Sequence, residues 1–361
     1  MKIWFLALAL VVSANLAAKQ TTPAAAADYS ALQYDGRLTG VPYPFKVSTF
    51  VFESQGSELE MAYMYLPPKE DFPVITLLHG KNFNAAYWET TARWLHEQGY
   101  GVLMPDQIGF GKSSKPTDYQ YSFATLANNT KALLDKLSIV RTVVVGHSMG
   151  GMLATRFALL FEKTTQRLIL VNPIGLENYL VYENYKDVDS HYRGELKKSA
   201  DDIINYQKQN YYDGKWNQTF ASHAEFLMGW VQGADWPILA KVSALTYDMI
   251  FTQPVVEDMQ YLSMPTTLIL GTRDRTAPGR DQLKDNVNKT LGRYDKLGET
   301  TKARNSNIQL VELKGLGHLP QIEDFDRFKA PFLEAIARKA ANKEKSAEPA
   351  KTVPSANVAA Q

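Results

Sequence analysis

The sequence predicts an α/β fold in which a doubly wound, mostly parallel sheet of eight strands carries helices on both faces. Short runs rich in Val, Ile and Leu alternate with helical patterns along most of the 361 residues, and such runs are typical of parallel strands buried on both faces. One interval of about 90 residues, 173–264, interrupts this alternation and is too long for an ordinary connection. We therefore expect one α/β domain with a helical insertion.

The predicted strands and helices follow one another in a regular order. An antiparallel pair, 45–52 and 58–66, comes first. The other strands are predicted at 73–80, 100–106, 141–148, 167–172, 265–271 and 307–315. Core helices are predicted at 85–99, 122–137, 149–162 and 322–340. Residues 28–172 and 265–340 then form the core, and residues 173–264 form a cap over the carboxyl edge of the sheet, where functional residues gather in such folds.

The two ends of the chain differ from the rest in composition. Residues 1–27 place Lys2 before ten apolar residues, which is typical of a secretory signal peptide, with cleavage after Ala18 or Ala27. The apolar run is too short for a membrane span, and an uncleaved anchor is the alternative. Residues 341–361 contain no aromatic residue, Leu or Ile and are predicted to be a disordered tail. We expect an exported bacterial protein, periplasmic or secreted, without stable membrane insertion after cleavage.

Composition restricts the possible chemistry. The 39 lysine and arginine residues nearly balance 38 aspartate and glutamate residues, so no basic excess indicates nucleic-acid binding. The chain has no cysteine, which excludes disulfides, a thiolate nucleophile and thiolate metal sites. Metal-binding HExxH and phosphate-binding GxxxxGK[ST] motifs are absent. The sequence therefore predicts no metal and no cofactor, a small-molecule substrate as partner, and no particular oligomeric state.

The segment VVVGHSMGG joins a predicted strand to a predicted helix. Its residues Gly146, Ser148 and Gly150 fit the G-x-S-x-G pattern of a nucleophile elbow, in which glycine permits strand and helix to approach closely. The helix amino terminus beside the serine favours developing negative charge. This pattern also occurs by chance, but its position between a strand and a helix makes Ser148 the candidate nucleophile.

A serine nucleophile requires a base, and the chain has six histidines. His318 lies between Gly317 and Leu319 on the loop after the last strand, from which it can reach the sheet edge, so it is the candidate base. His147 lies within the elbow and is expected to point away from the nucleophile. His79 is expected to orient the neighbouring loop through a hydrogen bond. The remaining three are expected to be surface or structural histidines: His96, His191 and His223.

The acid that orients the base is expected after another core strand. Asp274 follows the strand at 265–271, in the segment LILGTRDRTAP. An aspartate that only stabilises the turn is the alternative interpretation. Glu177, which follows the preceding strand, is the rival acid.

The segment LLHGKNFNAAYWE places a glycine turn between a buried strand and a helix. The backbone amide of Lys81, which follows Gly80, and that of Met149 are expected to form an oxyanion hole. Asn82 is the alternative donor, through its backbone or its side-chain amide. The ammonium group of Lys81 is expected to face solvent, so we assign this residue a backbone role.

Together these motifs resemble the α/β-hydrolase fold family, and in particular its capped serine hydrolases: esterases, carbon–carbon hydrolases and cofactor-free haloperoxidases. The resemblance covers about 45–340 and includes the chain order Ser, Asp, His. PDQIGFGKSSKP resembles the family's D-x-x-G-x-G-x-S loop, whose Asp106 and Ser113 are then expected to be structural. Epoxide hydrolases and haloalkane dehalogenases place aspartate where this chain has Ser148, so the resemblance does not extend to their reactions. The long polar connection 280–307 also departs from the family pattern, either as surface structure or as part of the rim of the site.

The resemblance implies acyl transfer to water through a Ser-His-Asp triad and an acyl-enzyme. A carboxylic ester is the favoured substrate. Carbon–carbon bond hydrolysis and haloperoxidase or perhydrolase chemistry are alternatives with the same triad, and a non-catalytic ligand receptor is a remote one. The aromatic-rich cap favours a small, largely apolar substrate, although these rings can equally form the core of the cap itself.

Overall fold

The computed structural model describes residues 29–280 and 282–338. The predicted signal peptide and the whole predicted tail lie outside these ranges, so export stays a prediction. The eight strands are β1 (Val47–Ser54), β2 (Ser57–Leu66), β3 (Val74–Leu78), β4 (Gly101–Pro105), β5 (Thr142–His147), β6 (Thr165–Val171), β7 (Thr266–Gly271) and β8 (Ile308–Leu313). They form one sheet in the order β1-β2-β4-β3-β5-β6-β7-β8. β1, β2 and β4 pair antiparallel, and the strands from β4 to β8 along that order pair parallel. The predicted fold class is confirmed.

Helices cover both faces of this sheet. In the core they are α1 (Glu89–Glu97), α2 (Phe123–Lys136), α3 (Met149–Leu160), α10 (Tyr294–Lys302), α11 (Pro320–Glu323) and α12 (Phe325–Ala337). Val144 of β5 packs in an apolar cluster with side chains of α2 and α3. Its neighbours Val143 and Val145 pack in a second cluster with side chains of α1 and α12. Because successive residues of a strand face opposite sides, β5 is buried on both faces, as its continuous valine run predicts.

The cap lies between β6 and β7, as expected. Its helices are α4 (Tyr179–Tyr182), α5 (Val188–Glu195), α6 (Ala200–Asn210), α7 (Gln218–Ser222), α8 (Glu225–Val231) and α9 (Trp236–Thr252). α6 begins with a capping box, in which Ser199 Oγ accepts from the Asp202 amide and the Asp202 carboxylate accepts from the Ser199 amide. Val242 and Ile250 of α9 belong to the same apolar cluster as the residues of α3. The cap therefore shares a hydrophobic core with the sheet domain.

The segment 29–45 joins the cap to the core, which the sequence did not indicate. Trp230 of α8 donates from Nε1 to the carbonyl of Asp35 at 3.0 Å. Arg37 donates from Nε to the carbonyl of Lys112 at 2.7 Å, in the loop after β4. The segment thus contacts both the cap and the core. No helix within the described ranges combines the length and apolar character needed to cross a bilayer.

The loop after β4 is held together by its own polar side chains. The Asp106 carboxylate accepts from the amides of Ala85 and Lys112, each at 2.7 Å, and from the Tyr43 hydroxyl at 2.8 Å. Ser113 Oγ donates to the Asp106 carbonyl at 2.6 Å. These hydrogen bonds give Asp106 and Ser113 a structural function in the loop that borders the cavity described below.

Candidate active site

A sharp turn between β5 and α3 positions Ser148. Its backbone has φ 57°, in the left-handed region that is strained for a residue other than glycine. A Cβ atom on Gly146 would lie 2.1 Å from the carbonyl oxygen of Gly150, so strand and helix cross too closely for any side chain there. Ser148 is only 6% exposed and lies in the wall of a cavity of about 660 Å³. Its Oγ makes no hydrogen bond to any described residue.

His318 and Asp274 form a buried pair at the same edge of the sheet. His318 Nδ1 lies 2.7 Å from Asp274 Oδ2, and neither side chain is exposed. Asp274 Oδ1 accepts from the Thr276 amide at 2.7 Å, and Oδ2 accepts from Asn172 Nδ2 at 2.9 Å. Because an ionised carboxylate only accepts, this network places a proton on His318 Nδ1. Nε2 is then the basic nitrogen, and it has no hydrogen-bond partner within the described residues.

His147 is hydrogen-bonded to the backbone of His318. Its Nε2 lies 2.9 Å from the carbonyl oxygen of His318, and its Nδ1 lies 3.0 Å from the Tyr87 hydroxyl. The ring therefore donates to His318 and accepts from Tyr87. Burial, together with the neighbouring His318, lowers the pKa of His147 well below its usual range. His147 is a neutral positioning group for the His318 backbone, a function that its place in the sequence did not indicate.

The other histidines lie away from the pair. His79 Nδ1 donates to the Gly80 carbonyl at 2.9 Å and its Nε2 accepts from the Gln107 amide at 3.1 Å, so it holds the loop after β3. Burial lowers the pKa of His79. Of the three remaining histidines, His191 lies in the cavity wall and contacts Tyr247 with ring centroids 4.1 Å apart. The other two lie on α1 and after α7: His96 and His223.

Two free backbone amides lie where the loop after β3 meets the elbow: that of Lys81 in the loop and that of Met149 in α3. Met149 is the first residue of α3, so its amide has no acceptor within the helix. Among the described residues, neither this amide nor that of Lys81 has a hydrogen-bond acceptor. A Cβ atom on Gly80 would lie 3.0 Å from Cβ of Ser148. The loop and the elbow are therefore in contact.

The prediction that the Lys81 ammonium group faces solvent is wrong. Its Nζ donates to the carbonyl and to Oγ of Ser243, each at 2.9 Å, and to Oγ1 of Thr246 at 3.2 Å. Because the cap covers the loop, these three oxygens of α9 take the place of water as hydrogen-bond acceptors for the ammonium group. Burial lowers the pKa of Lys81 to about 8. Lys81 thus anchors the cap to the loop after β3.

Asn82 makes a second connection to the cap. Its Nδ2 donates to the Tyr211 hydroxyl at 3.0 Å. The Tyr211 ring stacks on His318, with centroids 4.7 Å apart and an interplanar angle of 23°. A residue of the insertion therefore covers the candidate base. Only the aromatic richness of the insertion hinted at such a contact, and no local pattern singled out Tyr211.

The rival acid Glu177 is engaged elsewhere. Its Oε2 accepts from the Gly292 amide at 2.8 Å, and its Oε1 lies 3.2 Å from Nζ of Lys289. Neither oxygen contacts His318. Asp274 is the acid that the structure brings to the histidine.

The connection 280–307 contributes to both the core and the site. Leu291 and Tyr294 are buried, and the Tyr294 hydroxyl donates to the carbonyl of Pro173 at 2.8 Å. Arg280 and Gln282 lie in the cavity wall, in agreement with the rim interpretation. The packing of Leu291 and Tyr294 in the core was not expected for a polar surface segment.

The cavity lies between the sheet edge and the cap. Apolar side chains from both bodies line much of it: Phe110, Ile174, Leu227, Trp230, Leu239 and Ile250. Polar side chains of α5, α6 and the loop after β7 line the rest. Within the described ranges no group of three or more His, Asp or Glu side chains is arranged to hold a metal ion.

Comparison with known proteins shows the family. The sequence model for the alpha/beta hydrolase fold matches residues 73–325. The chain belongs to the α/β-hydrolase fold family. This member of the family is similar to the crystal structure of a probable hydrolytic enzyme from Pseudomonas aeruginosa PAO1, with 46% identity, a TM-score of 0.83, and coverage of 85% of this chain and 99% of the other.

The matches to two curated relatives cover smaller parts of this chain. A putative non-heme chloroperoxidase from Synechocystis sp. is 30% identical over 215 residues, which is 56% of this chain and 75% of the relative. An uncharacterized protein from Mycobacterium tuberculosis is 41% identical over 104 residues, 29% of this chain. The match spans only 30% of the length of the mycobacterial protein.

A His147→Gln variant should make stability less sensitive to acid. An unfolded histidine binds a proton near pH 6.5, whereas folded His147 stays neutral, so the free energy of unfolding falls as the pH decreases below about 6.5. Glutamine keeps a neutral donor and acceptor, and it removes up to about 1.4 kcal/mol per pH unit of that dependence. Denaturant unfolding between pH 5 and 7 measures both slopes. Equal slopes in the two proteins would contradict the assignment of a neutral His147.

Proposed function

We propose that this α/β-hydrolase is a serine hydrolase that cleaves a carboxylic ester of a small, largely apolar substrate. The observation that carries the proposal is the buried His318–Asp274 pair, whose Nε2 atom has no partner within the described residues. Ser148, strained at the elbow, lies in the wall of the cavity. A base held in one tautomer and a helix-terminal serine, both after strands of the same sheet, are the groups that nucleophilic catalysis requires.

The first half of the reaction forms an acyl-enzyme. His318 Nε2 removes the proton from Ser148 Oγ as this oxygen attacks the ester carbonyl carbon. The carbonyl electrons move onto oxygen, and the amides of Lys81 and Met149 donate hydrogen bonds to the resulting oxyanion. Asp274 stabilises the imidazolium through its bond to Nδ1. The imidazolium then protonates the departing alkoxide as the tetrahedral intermediate collapses.

The second half returns the enzyme to its starting state. Water takes the place of the alcohol and gives a proton to His318 Nε2 as its oxygen attacks the acyl carbon. The second tetrahedral intermediate collapses, Ser148 Oγ leaves, and the imidazolium returns the proton to it. The products are one carboxylic acid and one alcohol, so water is the only co-reactant. Tyr211, stacked on His318, keeps bulk solvent from one face of the base.

Perhydrolase chemistry is the second candidate function. It is favoured by the similarity to the putative non-heme chloroperoxidase from Synechocystis sp., which spans 75% of that protein. In that reaction hydrogen peroxide replaces water as the nucleophile that attacks the acyl-enzyme. Peracetic acid formation from acetate and hydrogen peroxide, compared with ester hydrolysis on the same preparation, separates the two functions.

Substitution of the triad should separate the true acid from its rival. Ser148→Ala and Asp274→Asn are expected to lower kcat for p-nitrophenyl butyrate by about 10⁴-fold or more, because each removes a member of a unit that acts together. Glu177→Gln should retain kcat within a few fold, since Glu177 does not contact His318. Initial rates and circular dichroism are measured on all three variants. Near-normal turnover in folded Ser148→Ala, or equal losses in Asp274→Asn and Glu177→Gln, would overturn the assignment.

A Lys81→Met variant should show that the cap anchor supports catalysis. The change keeps the backbone amide and removes three buried hydrogen bonds to α9. Bonds to a buried charged group contribute about 1.5–3 kcal/mol each, so even partial loss should lower kcat/KM by roughly 10-fold or more. Lys241→Met is the matched control, because Lys241 lies on α9 in an ion pair with Asp189 at the surface. Unchanged kcat/KM in Lys81→Met would show that the anchor has no effect on the reaction.

A further inference from the structure

Two buried polar side chains in the cavity wall lack hydrogen-bond partners among the described residues. Gln207 is 1% exposed and Thr276 is 5% exposed. Both atoms of the Gln207 amide group and Oγ1 of Thr276 are unpaired, although both residues line the cavity that contains Ser148. Buried polar groups in native proteins are nearly always paired. These two groups are therefore candidates for pairing with a bound molecule.

Both residues lie on segments that contact the candidate catalytic pair. Thr276 follows Asp274 by two residues and donates its amide to the Asp274 carboxylate. Gln207 lies on α6, and its carbonyl accepts from the Tyr211 amide at 2.8 Å, which places it one turn before the ring that stacks on His318. The backbone of Thr276 is thus hydrogen-bonded to Asp274 and that of Gln207 to Tyr211, whereas the side chain of each residue is unpaired among the described residues.

A hydrogen bond joins the two segments that carry these side chains. Arg280 Nη2 donates to Oδ1 of Asn210, the last residue of α6. The loop after β7 and the end of α6 therefore meet in the wall of the cavity. Gln207 and Thr276 lie on these two joined segments.

The charged side chains of the same wall already have partners. Lys198 pairs with Glu195 at 2.7 Å. Arg280 Nη1 donates to the carbonyl of Arg275 at 2.6 Å. Lys81 is satisfied by three oxygens of α9. The groups that are left without partners, the side chains of Gln207 and Thr276, are neutral. They therefore favour a neutral ligand group over a carboxylate or an ammonium.

We propose that Gln207 and Thr276 form a subsite for a hydroxyl group of the substrate, an inference that rests on the proposed ester hydrolysis. The amide of Gln207 offers two N–H donors and one carbonyl acceptor, and the Thr276 hydroxyl both donates and accepts. A substrate hydroxyl also donates and accepts, so it can pair with both. The substrate class is then a carboxylic ester that bears a hydroxyl group on an otherwise apolar chain. The apolar walls of the cavity bind that chain.

The test compares esters that differ only in a hydroxyl group. Ethyl hexanoate is compared with ethyl 3-hydroxyhexanoate, ethyl 6-hydroxyhexanoate and 2-hydroxyethyl hexanoate, by pH-stat titration. At least one hydroxylated ester should have a kcat/KM about 10-fold above that of ethyl hexanoate. Gln207→Met and Thr276→Val should each lower this ratio by up to about 10-fold, to near 1, because a site built for a polar group discriminates against analogues that lack it. Gln209→Met, on an exposed position of α6, should keep the wild-type ratio.

Binding to the Ser148→Ala variant separates this inference from the proposed function. Isothermal titration with the same four esters should show tighter binding of a hydroxylated ester, and the preference should be lost in Ser148→Ala/Gln207→Met. Equal affinity for all four esters, or a preference that survives the Gln207 and Thr276 changes, overturns the subsite. If the binding preference depends on Gln207 but the wild-type protein hydrolyses none of the esters, the proposed subsite is retained and the proposed ester hydrolysis is overturned.

Discussion

The close crossing of β5 and α3 is the constraint on which the site depends. A Cβ atom on Gly146 would meet the carbonyl of Gly150 in α3, and one on Gly150 would meet the carbonyls of Leu78 and His79. In the turn between these two glycines Ser148 has a positive φ. This strain is maintained because β5 lies in the middle of a sheet buried on both faces. The same turn brings the first free amide of α3 next to the serine. Nucleophile and oxyanion donor thus follow from one backbone geometry.

The cap is part of the site as well as a cover for it. Consecutive residues of the loop after β3 bind two separate parts of the cap, Lys81 to α9 and Asn82 to Tyr211. Tyr211 in turn stacks on His318. A movement of the cap therefore changes the environment of the candidate base and of the candidate oxyanion donor together. Contacts of the cap therefore link the cavity wall to the groups proposed to act with Ser148.

Local patterns were sufficient to predict the sheet, the sharp turn at Ser148, and two residues, His318 and Asp274, that pair at the sheet edge. Buried parallel strands require continuous apolar runs, which are visible in the sequence. The glycine spacing around Ser148 reflects close backbone contacts between residues that are near one another in the chain. The Lys81 ammonium group was misjudged because its partners Ser243 and Thr246 lie 162 and 165 residues away. Tyr211 and Gln207 were missed for the same reason. Their surroundings depend on how the cap helices dock, which no short segment encodes.

Covalent labelling of the purified protein with a fluorophosphonate, followed by peptide mapping with mass spectrometry, tests directly whether Ser148 is an activated nucleophile. A serine activated by a neighbouring base displaces fluoride and retains the phosphonyl group. We expect one adduct per chain, on the peptide that contains Ser148, and loss of ester hydrolysis in proportion to labelling. Labelling at another residue, or ester hydrolysis that continues after Ser148 is fully modified, would show that Ser148 is not the nucleophile.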